Sequence, residues 1–186
     1  RSKRSFWRRR FSSSIGVCSS SSWRRAPDSC RRFLSTSERV YAPASSELHL
    51  LVGLLAGYRN DAATVAEALR RVQDSPVVRD FPTVAELHQV VLAEQERLAG
   101  KPQAAASRLR GVTTGHTALV ASHWALMRAE RAAGNTPGAQ SQLQWLVTHR
   151  GRAFVENTSS DVLRFFNAGA SREALREQAK PKPVTP

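Results

Sequence analysis

Cysteine is nearly missing from this chain. Two occur in 186 residues, Cys18 and Cys30, both close to the N-terminus. There is no Cys-x-x-Cys pair and no Cys/His cluster, which excludes the common zinc frameworks and a disulfide-built fold. So low a cysteine count predicts a reducing compartment. Long apolar runs are missing too. The best candidate, residues 48–55, is broken by His49 and Gly53 and is far shorter than the roughly 18–20 residues that cross a bilayer. Acids are in deficit: 15 Asp and Glu stand against 28 Lys and Arg, a formal net charge of +13.

Catalytic signatures are also lacking. Gly100-Lys101 is followed by Pro102 and has no upstream glycine at Walker spacing, so no phosphate loop is present. Gly-x-Ser-x-Gly does not occur. His49, His88, His116, His123 and His149 have no carboxylate at a telling distance, and His116 with His123 is too small a set for a metal. The expectation is a chain without catalytic residues, cofactor or metal.

The positive charge is unevenly spread. Residues 1–42 hold eleven Lys and Arg against two acids, a net of +9, whereas residues 43–186 hold seventeen against thirteen, a net of +4. A basic leader gives weak, salt-sensitive attraction to polyanions rather than sequence-specific nucleic-acid recognition. The mildly charged body has no aromatics recurring at stacking positions, which disfavours an RNA-binding array. Twenty-three of the first forty residues are Arg, Lys or Ser. Such a segment buries too little area to offset its ordering entropy and is expected to be disordered. It reads as a mitochondrial transit peptide, as a basic arm, or as text upstream of a true start. The first reading places the protein in the mitochondrial matrix; otherwise the cytoplasm is expected.

From Ala44 the pattern changes. Apolar residues recur at three and four, with Gly, Asn and Pro between the runs. Helices are expected over 46–58, 62–73, 83–99, 102–110, 117–133 and 136–150, with one or two more over 159–178, weakened by Gly169. Residues 75–82 read as a linker, 111–116 as a loop and 179–186 as a disordered tail. Thr83 with Glu86 suggests a capping box, and Thr136 a cap with Pro137 at the first helical position. Strand signals are isolated, so the fold class is all-α, with one helical domain over 43–178.

Two stretches echo each other. Leu92-Ala-Glu-Gln-Glu-Arg-Leu-Ala-Gly100 returns thirty-four residues later as Leu126-Met-Arg-Ala-Glu-Arg-Ala-Ala-Gly134. Ala105, Ser107 and Leu109 likewise match Ala139, Ser141 and Leu143. A third copy sets Asn60 at the turn, Val52-Gly53 at the Leu-small pair and Leu69 at the large position. The body resembles the tetratricopeptide repeat family, with antiparallel helix pairs, about three repeats and a capping helix. The small residues Gly53, Ala93, Ala105 and Ala139 would let helix backbones approach to roughly 8–10 Å. Glu96 and Glu130 stand where that family commonly has an aromatic, and Met127 where it has a small residue.

The resemblance implies a scaffold that binds a peptide or partner protein on its concave face. Position by position, that face would comprise Glu47, Leu50, Leu54 and Tyr58, then Leu87, Val90, Glu94 and Arg97, then Ala121, Trp124, Arg128 and Arg131. Arg97, Arg128 and Arg131 would converge on a carboxylate of an acidic partner, and Trp124 would supply an aromatic anchor. Trp145 and Phe154 would seal the end of the array, since terminal repeats need a cap. This ending also resembles that of bacterial signalling and transcription-regulatory proteins, such as nucleotide cyclases, so a C-terminal sensory region is an alternative function.

Overall fold

The computed structural model describes residues 45–115, 118–156 and 162–179, and all regular structure among them is helical. The expected disordered leader and all of the expected tail except Ala179 lie outside these residues, as does His116. The helices are α1 (45–58), α2 (Ala62–Val72), α3 (Val77–Asp80), α4 (Pro82–Leu98), α5 (Pro102–Thr113), α6 (Val120–Ala132), α7 (Thr136–Thr148), α8 (Arg152–Val155) and α9 (Val162–Gln178).

The three turns anticipated at Asn60, Gly100 and Gly134 have one geometry. Each of these residues has positive φ: 60°, 75° and 75°. The N–H of Gly100 donates to the Arg97 carbonyl at 3.1 Å, and that of Lys101 to the Glu96 carbonyl at 2.9 Å. Gly134 and Asn135 repeat the pattern onto Arg131 and Glu130, and Asn60 and Asp61 repeat it onto Gly57 and Ala56, at the same 3.1 and 2.9 Å. This is the Schellman arrangement, which satisfies the last carbonyls of a helix and reverses the chain. Asp61 then caps α2, accepting from the Thr64 N–H at 3.1 Å.

Helix α6 is the hub. Ten of its residues are buried, including Ser122, His123 and Glu130. It packs on α4, α5, α7 and α9. Helix α1 meets α2 and α4 at Gly53, where an added Cβ would lie 2.8 Å from Val91 Cγ1 and 2.9 Å from Ala68 Cβ. The close approach expected of that glycine is therefore present.

Several local expectations are corrected. Thr83 does not cap α4. Pro82 opens that helix behind an extended Phe81, with no side-chain cap. Glu86 instead reaches α6, where its Oε1 accepts from the Leu119 N–H and the Ser122 hydroxyl, each at 2.6 Å. The positive end of α6 attracts this carboxylate more strongly than the first turn of α4, where Pro82 has already removed one donor. Asn135, not Thr136, caps α7, accepting from the Gly138 N–H at 3.2 Å. The 75–82 linker contains α3, and α5 continues through Gly111 to Thr113, whose hydroxyl donates to the Leu109 carbonyl at 3.0 Å. Phe154 does not seal an end, since it is 69% exposed. Helix α9 is unbroken at Gly169 and buries Leu163, Asn167, Ala170, Ser171 and Ala174.

Candidate functional site

The expected concave face is mostly covered. Glu47, Leu50, Leu54, Leu87, Val90, Glu94, Ala121 and Trp124 are all buried. Helix α9 packs on α6, α7 and α8 and covers part of that face: its Leu163 and Phe166 belong to the apolar cluster containing Leu50, Leu54, Leu87 and Ala121, and its Ala170 and Ala174 to the one containing Trp124. At its other end Glu173 accepts from the Tyr58 hydroxyl at 2.7 Å, a bond joining α9 to α1 across 115 residues. Glu177 accepts from Arg131, whose Nη1 lies 3.0 Å from Oε1.

The arginines divide into two groups. Arg97 and Arg128 converge on Glu94, which is 2% exposed; the Arg97 Nη2 lies 2.7 Å and the Arg128 Nη1 3.2 Å from its carboxylate. Both guanidiniums also donate to the Gly57 carbonyl at 3.1 Å and to Asn60 Oδ1, at 2.8 and 3.1 Å. They thus close the C-terminal end of α1, adding positive charge at the negative end of the helix and further donors to the Gly57 carbonyl, which also accepts from the Asn60 N–H. Gly57 makes room for this, since a Cβ there would lie 2.8 Å from Glu94 Cγ. Arg131 stands apart, on α9's carboxylate. The acid on which Arg97 and Arg128 meet is therefore the chain's own.

The surroundings tune these groups. Burial lowers the Arg128 guanidinium below its ordinary value, with Glu94 opposing. The hydrogen bond to Glu177 raises Arg131. The hydrogen bond to Glu173 raises the Tyr58 hydroxyl, helped by burial. The Tyr58 ring meets Phe166 edge-on at 6.2 Å and Trp124 tilted at 6.3 Å, with the Arg128 guanidinium 5.6 Å from its centroid. Trp124 is 2% exposed, and its Nε1 has no hydrogen-bond partner among the described residues. It lies in the core, beneath Tyr58 and α9.

A second polar group clamps the start of α6 and was not anticipated. Beside Glu86, the Glu156 carboxylate accepts from the Val120 N–H at 2.9 and 3.0 Å and from Asn167 Nδ2 at 2.8 Å. Burial pushes the Glu156 carboxyl up to about 6. Nearby, the Trp145 ring stacks between His123 at 3.4 Å and His149 at 4.4 Å, with the Arg152 guanidinium 5.6 Å away. Trp145 thus packs between His123 of α6 and His149 at the end of α7.

Sequence reading missed Glu173, Glu177, Gly57 and Phe166. The i,i+4 pair of glutamates on one helical face was the available signal. Among the described residues no group of three or more His, Cys, Asp or Glu could hold a metal ion, and no helix is long and apolar enough to cross a membrane. Comparison with family models, curated proteins and solved structures finds no match.

Proposed function

We propose that the chain is a non-catalytic protein–protein interaction module, a tetratricopeptide-like scaffold whose inner face takes an amphipathic helix carrying acidic residues. The repeated turns at Asn60, Gly100 and Gly134 support the scaffold. One observation supports the binding mode: that face already holds such a helix, α9. Leu163 and Phe166 fill its apolar part, while Glu173 and Glu177 offer carboxylates to Tyr58 and Arg131. A partner helix with the same pattern would make these contacts in place of α9, which therefore acts as a tethered competitor. Tethering sets a high local concentration, so the competitor must loosen before a partner enters.

The test uses the full chain. Leu163→Asp, or the milder double variant Glu173→Ala/Glu177→Ala, weakens α9 docking, as seen by faster hydrogen exchange along α9. A labelled peptide of residues 162–178 should then bind each variant and ignore the parent. A peptide that stays unbound while α9 exchanges freely would sink the reading.

A further inference from the structure

We propose that the outer face of α8 and α9 is a second docking surface, which takes an acidic amphipathic segment of a partner protein. It goes beyond the inner-face reading, because it uses the residues that α9 turns away from the array. Phe154, Val155 and Phe165 are 69, 74 and 68% exposed, the highest values for large apolar side chains among the described residues. Scattered apolar residues on a surface need no explanation, but clustered ones do. Phe154 and Phe165, with Ala168 and Leu175, line one cleft of about 540 Å³. A second cleft of about 420 Å³ shares Phe165 and Arg172 and reaches Leu55 on α1. Phe165 is the ridge between the two.

Arg150 and Arg172 line the rim of the first cleft, and among the described residues that line it there is no carboxylate. Arg176 extends the row along the second cleft, where the only carboxylate among the described residues is Glu173, already bonded to Tyr58. The Arg164 guanidinium lies 5.8 Å from the Phe165 ring centroid, placing cation and aromatic in one patch. An apolar floor with a cationic rim is the layout of a recognition surface.

Charge decides the occupant. The leader, with a net of +9, and the tail, with Lys180 and Lys182, carry the same sign as these arginines and supply no complementary charge. A second copy, at +13, would set arginine against arginine. The complement is a segment with apolar residues on one face and carboxylates beside them. The two clefts flanking the Phe165 ridge would take side chains inserted from such a segment, which is what favours it over a bilayer.

The experiment titrates the full chain into a labelled synthetic helix of about eighteen residues, with Leu on one face at helical spacing and Glu elsewhere, read by fluorescence anisotropy. Binding is expected, weakening as salt rises. Affinity should fall at least tenfold for Phe154→Ser/Phe165→Ser and for Arg150→Glu/Arg172→Glu, while a Lys-for-Glu version of the helix stays unbound. All four positions are exposed, so these variants keep the parent's thermal melt. Four results would overturn the proposal. The acidic helix fails to bind the parent, or it binds the variants as well as it binds the parent. Arg131→Glu abolishes binding while Phe154→Ser/Phe165→Ser spares it, which would locate the helix on the inner face. The parent ignores the helix and instead adsorbs through Phe154 and Phe165 to phosphatidylserine/phosphatidylcholine vesicles.

Discussion

Replacing Glu156 by Gln should stabilise this protein at neutral pH and leave it unchanged in acid. The Glu156 side chain is 7% exposed, and Arg152 Nε lies 3.4 Å from its carboxylate. Burial raises the carboxyl from 4.5 to about 6, opposed by the Val120 N–H and Arg152 and assisted by the neighbouring Glu86 carboxylate. The native state therefore holds this proton more tightly than the unfolded chain does. Its contribution is complete below 4.5 and is lost as pH rises through about 6. That interval corresponds to about 2 kcal/mol. Gln resembles the protonated acid in shape and keeps an oxygen for the Val120 N–H. Urea unfolding followed by circular dichroism, at about pH 4 and about pH 7.5, should show parent and Glu156→Gln equal in acid and the variant ahead by about 2 kcal/mol at the higher pH. A difference that does not change with pH, or one that grows toward acid, would refute the reasoning.

Glu94→Ala leaves two largely buried guanidiniums without their carboxylate and should cost about 3–5 kcal/mol, measured by urea unfolding. Gly53→Val presses on Val91 and Ala68 and should lower stability by about 1–3 kcal/mol. Gly111→Ala, with open space around it in α5, should instead gain up to about 1 kcal/mol by calorimetry. Burial lowers His123 below its ordinary 6.5, so its NMR titration should fall on the acid side of that value. The stability it confers is present above 6.5 and is lost as pH drops through the lower native value.

The turns were legible because a backbone requirement is written in residue type. Gly100, Gly134 and Asn60 are the residues that tolerate positive φ, and each marks a reversal. The stripes of α2 and α4 were equally plain. Pairings across the fold were not. Glu86 lies 33 residues from Leu119 and Glu173 lies 115 from Tyr58, and no periodicity encodes such distances. The arginine cluster was half legible: Arg97 and Arg128 do meet, on a glutamate three residues before Arg97. Arg131 diverges because α9 brings the Glu177 carboxylate to it, a partner no local spacing reveals. The amphipathic pattern of α9 was visible in outline, but a pattern states that a face is buried without stating against what.

A row of stacked hairpins usually melts from its ends inward, each unit answering only to the next. The Tyr58–Glu173 bond breaks that rule by returning the last helix to the first. Opening either α1 or α9 then breaks a contact with the other, so the two helices answer to each other as well as to their neighbours.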